Sequence, residues 1–508
     1  MASLRAVLST FWNDLPAPRL LRWASVFFSL SVLSMLLSVA AAQTFFSLAG
    51  VCYAAELLRR PRVPAFPYLK LPLALFCIFT ALAIGWAENP IVGWTVVRKL
   101  TLLFIILFTV NLIASRRQLV AIYQIVFVES ALAGLLAVVQ FITQYRQVRA
   151  EHPGKFYYFM TLFRVHGFMG HWMNFGGQQM LVFLALAAYV TLGLRRPAEH
   201  ERALEAGEFV DSHFRANNVV EVEPLTPGSV TPAEAGVCRP EQPRTHAAGA
   251  RPFLGPPPQL SNLVWWLVLA VVAISIILNF TRGVWLGCGV ALLYLVARWR
   301  ARWLWALPAL ALAAYVASPS LVRDRVQTLF HPSADPSIAV RMEMWHVGLA
   351  MMRRHPLTGV GPNNIPEVYL TYLPPGTHSV PAWHEHLHDV YLELGAERGL
   401  PCLAAWLWFM GALGWQILRV RGPLERERRQ AWIADAAFAA WLAFVAEGFF
   451  EFNFGTTPVL MLFLFVVSAP FAAERLLANE KPESSVDRGV GILPAPLRGA
   501  APGRGAGV

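Results

Sequence analysis

The run Ala382 to Leu400, AWHEHLHDVYLELGAERGL, crowds His384, His386 and His388 together with Asp389, Glu393 and Glu397 into a chain that is otherwise largely hydrocarbon. Ionisable groups at the edge of an apolar helical bundle usually line a cavity or pathway, so the chemistry is expected here. Two chemistries fit. A neutral imidazole can take a proton from a hydroxyl, which is the work of a general base. Three histidines spaced two apart would share one face of an extended strand and could ligate zinc or another transition metal. The apolar period from Leu387 through Val390, Tyr391 and Leu394 to Leu400 favours a helix, which sends His386 and His388 to different faces and stacks Glu393 above Glu397. The base reading is therefore centred on His388, with His386, Asp389 and Glu393 as secondary candidates and no metal set expected.

Cations form the second half of the pattern. Phe280-Thr281-Arg282-Gly283 joins two apolar runs by so short a hairpin that Arg282 must sit at the membrane boundary, either snorkelling to headgroups or fixing a phosphate there. Arg341 opens an amphipathic stretch and has a plain alternative in an ion pair with Glu343 or another acid. The outside loops carry further cations, Arg146, Arg149, Lys155 and Arg164 in 143–175 and Arg323, Arg325, Arg353 and Arg354 in 319–385; each has a plain reading as a solvated loop charge, and together guanidinium forks facing a histidine-rich segment suit an anionic ligand such as a phosphate. The segment His355 to Asn364, HPLTGVGPNN, reads first as a structural elbow and second as glycine backbone that could approach a ligand. Lesser candidates are Arg98, His171, Glu447 and Glu451, each with a structural alternative. Asp389 could orient an imidazole or cap the helix that follows it.

The elements that must position these groups are helices in a bilayer. Across 508 residues, 56% are hydrophobic and 14% charged, and mean hydropathy is +0.48, far from a soluble composition. The net charge of +11 rests on arginine, with lysine only at 70, 99, 155 and 481, and basic loops are what membrane insertion requires, so nucleic acid is not the expected partner. Apolar stretches near 23–42, 44–58, 69–86, 94–114, 119–142, 176–194, 261–279, 283–298, 303–318, 400–419, 431–449 and 456–474 predict an all-α polytopic fold of about twelve transmembrane helices. Arg59/Arg60/Arg62, Arg116/Arg117, Arg195/Arg196, Arg298/Arg300/Arg302 and Arg419/Arg421 fall on every second connection, which places both termini in the cytoplasm. Ala40-Ala41-Ala42 imitates a signal-peptidase site, but the apolar run before it is nearer a full span than a signal core. The five cysteines lie in apolar runs or in one polar insert, so no disulfide framework is expected. No internal repeat, P-loop or dinucleotide fingerprint is present.

Taken in order, Thr281-Arg282-Gly283-Val284-Trp285-Leu286, then Arg341 to Trp345, then HPLTGVGPNN, then HLHDVYLELGAERGL, the chain resembles the O-antigen ligases, whose superfamily also holds O-antigen polymerases and O-linked oligosaccharyltransferases. The resemblance is most specific over about 280–415. It implies an inverting, metal-independent glycosyltransferase without cofactor, at the periplasmic face of the bacterial inner membrane. The donor would be an undecaprenyl-diphosphate-linked glycan and the acceptor a hydroxyl of the lipid A core, giving lipopolysaccharide. Arg282 and Arg341 would hold the diphosphate leaving group and His388 would deprotonate the acceptor. A polymerase using the same donor, and a transporter for the lipid-linked glycan that would need no base, remain alternatives. The corresponding organisation is helices 1–6 over 1–196 with a periplasmic loop at 143–175, a disordered cytoplasmic insert at 197–260, helices 7–9 over 261–318, a periplasmic catalytic loop with short helices at 319–399, helices 10–12 over 400–479, and a disordered cytoplasmic tail at 480–508. Two departures from the family pattern stand out: the insert, and Asp389 where asparagine is frequent.

Overall fold

A computed structural model describes residues 15–194, 261–330, 336–374, 376, 386–428 and 430–479. The insert at 197–260, the tail at 480–508 and His384 lie outside them. The described secondary structure is helical. Helices α1 (Arg19–Ser34) and α2 (Val39–Arg59) form an antiparallel pair, followed by α3 (Lys70–Gly85), α4 (Pro90–Leu112, with a 3-10 turn at Thr101–Leu103) and α5 (Arg116–Glu151). After the short α6 (Phe156–Leu162) come α7 (Trp172–Ala188), α8 (Asn262–Leu278), α9 (Arg282–Arg300) and α10 (Leu307–Ala317). The connection to the last three long helices carries α11 (Ser320–Phe330), α12 (Pro336–Arg354) and the single turn α13 (Ile365–Val368); then follow α14 (Val390–Arg428), α15 (Ala431–Glu447) and α16 (Thr457–Asn479). Every expected apolar stretch overlaps helical structure, but 23–42 runs across the break between α1 and α2 rather than forming one span, and 303–318 starts in a 3-10 turn. Seven helical segments are long and apolar enough to cross a membrane: Val39–Arg59, Pro90–Leu112, Arg116–Glu151, Trp172–Gly193, Arg282–Ala317, Val390–Arg426 and Thr457–Asn479. The chain is thus a polytopic membrane protein, and α3 and α8 are apolar but shorter.

Two helices sit at the centre. Of the apolar window in each of Trp172–Gly193 and Thr457–Asn479, 89% is buried, against 28% in Val39–Arg59, so the peripheral helices leave their outer faces to lipid. Many polar side chains inside the bundle are paired, as low-dielectric surroundings favour, although the hydroxyls of Tyr53 and Tyr123 and the indole nitrogen of Trp406 are not. Gln118 bonds both Ser25 and Ser29, and Ser130 donates to Gln179. Asp435 on α15 accepts from Tyr294 of α9 and Arg421 of α14, with Arg298 at 3.6 Å, tying three helices at one end. Arg282 begins α9 and Arg298 closes its last turn, so this knot and the hairpin arginine belong to opposite ends of one helix.

The glycine-rich elbow is a docking piece. Val360 N and Gly361 N donate to the carbonyls of Ala396 and Glu397, and Leu400 N donates to Pro356 O. Gly359 has φ +68°, and a Cβ there would overlap the Glu397–Arg398 peptide, so only glycine lets the two backbones meet. The partner strand of chain is equally constrained: Gly399, at φ +77°, breaks α14 into two pieces. The elbow reading is the one the packing bears out.

Candidate active site

One carboxylate organises the end of the bundle at which α9 begins. Glu451, in the turn between α15 and α16, has its Oε1 2.8 Å from Arg341 Nη2 and its Oε2 3.0 Å from His388 Nδ1. It is 3% exposed, whereas the side chains of Arg341 and His388 keep 24% and 23% of their surface open, so the cation and the imidazole are accessible and the acid is not. Burial alone would raise the Glu451 carboxyl, but Arg341 and His388 outweigh it and hold it below the ordinary carboxylate range. Arg341 therefore does pair with an acid, and that acid is Glu451; Glu343 instead accepts from the Tyr369 hydroxyl.

Local backbone puts each group in place. His388 lies just before the helix and not on it, so the helical faces expected for His386 and His388 do not form: α14 begins at Val390 and His388 has φ +51°. Left-handed backbone is unfavourable for histidine and persists because its surroundings fix it. Val390 N donates to Gly448 O, tying the segment to the end of α15. Asp389 caps the helix, its Oδ1 accepting from Tyr391 N and Leu392 N at 2.9 Å each. Burial foremost, with Glu393 adding, pushes the Asp389 carboxyl up to about 6 against those two bonds. His386 turns the other way, to Glu393 Oε1 at 3.2 Å, while Glu393 Oε2 accepts from Leu387 N. Burial would lower His386, but the Glu393 and Glu397 carboxylates raise it above its ordinary value. The expected divergence of the two histidines is thus present, each facing its own glutamate. The arrangement of all three histidines is not described, because His384 is outside the described residues.

Arginines converge on the same corner. Arg282 heads α9, and the neighbouring Gly283 lies against the Glu451 turn: a Cβ on it would stand 3.3 Å from Phe450 Cβ and 3.4 Å from Glu447 Cγ. Phe280, also left-handed at φ +53°, offers its carbonyl to Arg325 Nε at 3.3 Å. Arg164 reaches in from the connection before α7, its guanidinium 3.9 Å from the Trp172 ring centre and its Nε bonded to Thr161 O. Burial and then Arg325, Arg341 and Arg282, against the pull of Glu451, push Arg164 down to about 9, still a cation at neutral pH. Arg164 thus feels three other guanidiniums and the Glu451 carboxylate.

Other candidates fall elsewhere. Across Phe452, whose ring is 5.3 Å from that of His386, lies a second polar cluster. There Glu397 Oε1 accepts from Asn363 N, and Lys99, Asn363 and Arg398 line a small cavity with Phe452 and Phe454. Glu393 and Glu397 brace loops in this cluster. Arg98 is exposed in the last turn of the first α4 piece, and no described contact links it to His388 or to the arginines. His171 caps α7 through Met173 N. Glu447 is buried beside Asn453.

A buried acid, an imidazole and several guanidiniums at one end of a helical bundle mark the class: a polytopic membrane protein with a charged cluster where its helices end. Residues 267–407 match the family model described as Wzy_C, O-antigen ligase, so the resemblance drawn from the motifs holds over that stretch. It includes Arg282, Arg341 and His388, while Arg164 and Glu451 lie outside it. No curated protein matches the chain.

Proposed function

We propose that this protein transfers a glycan from an undecaprenyl diphosphate carrier to a hydroxyl acceptor, as an inverting glycosyltransferase working without a metal, and that the acceptor is the lipid A core. The single observation that carries the reading is the pairing of His388 with Arg341 through Glu451. In this reaction the acceptor oxygen bonds to the anomeric carbon as the carbon–oxygen bond to the diphosphate breaks, the hydroxyl proton passes to His388 Nε2, and the bonding electrons leave on the phosphate. Charge grows on the diphosphate in the transition state, so Arg282 and Arg341 accelerate the step by being placed where that charge appears. Arg164 and Arg325 add to the same positive field. Attack from the face opposite the leaving group inverts the anomeric centre.

The reading also places the site at the periplasmic face of the inner membrane in a twelve-helix topology with both termini cytoplasmic. Its support is the basic alternation of the short connections and the Asp435 knot of Arg298 and Arg421 at the other end of α9 from Arg282. Purified protein supplied with an undecaprenyl-diphosphate glycan and lipid A core is expected to release undecaprenyl diphosphate and form the glycosylated core, one for one. Lengthening of the lipid-linked glycan without transfer to the core would assign the protein to polymerisation. Absence of transfer to any hydroxyl acceptor, with movement of the donor across a vesicle bilayer, would replace the enzyme by a transporter.

A further inference from the structure

His388 offers two ring nitrogens, and only one of them can serve as the base. Its Nδ1 lies 3.0 Å from Glu451 Oε2. An ionised carboxylate only accepts, so this contact puts a hydrogen on Nδ1 and leaves the Nε2 lone pair free. The left-handed backbone at His388 and the bond from Val390 N to Gly448 O aim the ring at the turn that carries Glu451. Glu451 itself cannot rotate freely: it is buried, and its second oxygen is held by Arg341.

We propose that Glu451 is the positioning residue of this site, fixing the tautomer of His388 and balancing the imidazolium that forms when the acceptor proton arrives. The inference rests on the reading of His388 as the base, and it adds a residue from beyond the stretch that matches the family model. In the step, the acceptor O–H bond breaks toward Nε2 as the new glycosidic bond forms, the ring becomes a cation, and Glu451 stabilises it without taking the proton. When that proton later leaves, the starting tautomer is restored. The same carboxylate sets the resting geometry of Arg341, so one buried charge registers the base against the cation that receives the leaving group.

A carboxamide removes the charge at nearly the same volume. It can also donate to Nδ1, which would put the ring hydrogen on Nε2, the wrong atom. Glu451→Gln is therefore expected to lower kcat by about 10²- to 10⁴-fold, while affinity for undecaprenyl diphosphate, measured on the detergent-solubilised full chain, stays within about threefold or tightens as Arg341 is released. Glu451→Asp keeps the charge and is expected to retain more activity than the glutamine variant. Adding Glu451→Gln to His388→Ala should cost nothing further, since the group being positioned is gone. Wild-type kcat in Glu451→Gln, loss of affinity in parallel with kcat, or an aspartate variant less active than the glutamine one would each overturn the proposal. Full activity in His388→Ala would instead remove the base reading on which it stands, so the two failures are distinguishable.

Discussion

Replacing Asp389 by asparagine separates two roles that adjacency to His388 leaves entangled. Its Oδ1 accepts from Tyr391 N and Leu392 N, and no described contact joins it to the imidazole. An asparagine oxygen can accept the same two bonds, so the cap survives, whereas alanine should cost about 1 kcal/mol. The charge is a separate matter. The carboxyl is raised from its ordinary 3.8 to about 6, so above about 6 the folded protein carries a buried charge that the unfolded chain carries in water. A difference of that size amounts to at most about 3 kcal/mol, present in full at neutral pH and relieved as pH falls through about 6 toward the ordinary value. Asp389→Asn is therefore expected to equal or exceed wild-type stability near neutral pH, by up to that amount less what the weaker neutral hydrogen bonds give back, and to lose the advantage near pH ~4. Thermal unfolding in detergent across this range measures it, with glycan transfer assayed in parallel. Loss of transfer in the asparagine variant to the level of His388→Ala would refute the argument, because it would make Asp389 a partner of the imidazole.

Gly359→Ala should fail to fold or lose about 3 kcal/mol or more, because the elbow cannot dock on Glu397 and Arg398 with a Cβ present; proteolysis of the expressed protein would show it, and a variant as resistant as wild type would contradict it. Arg164→Gln should weaken binding of undecaprenyl diphosphate by roughly tenfold with little change in thermal stability, since it removes one cation from a crowded positive field; unchanged affinity would take Arg164 out of the site. Transfer activity should survive exhaustive chelation, and loss followed by rescue with zinc would return the three-histidine arrangement to consideration.

The helices were legible because an apolar stretch of bilayer length has few other uses, and each expected stretch overlaps helical structure, though 23–42 runs across the break between α1 and α2. The count of spans was less so: α3 and α8 are shorter than a membrane crossing by length alone, and α9 runs on through a 3-10 turn into α10. At the site, the residue types were readable and their pairing was not. Leu387 to Leu400 has helical periodicity, but with Val390 docked on Gly448 and Asp389 as the cap the helix begins only at Val390, and this leaves His388 in a left-handed turn rather than on a helical face. Arg341 and Glu451 meet across 110 residues. No local pattern reports such a contact. The arginines of the outside loops could be suspected as a set, yet which ones converge depended on Arg164 folding over Trp172 and Arg325 reaching the Phe280 carbonyl. The elbow, by contrast, declared itself through glycine and proline spacing, since positive φ and close backbone approach admit few other residues.

The central claim divides labour between holding the diphosphate and activating the acceptor, and the division is measurable in one comparison. Undecaprenyl-diphosphate glycan binding and single-turnover transfer should be recorded side by side for His388→Ala, Arg282→Ala and Arg341→Ala in the full chain. The account predicts that His388→Ala still binds the donor but transfers nothing detectable, while the arginine variants lose both binding and transfer. A His388 variant that transfers at the wild-type rate, or arginine variants that bind and react normally, would contradict it.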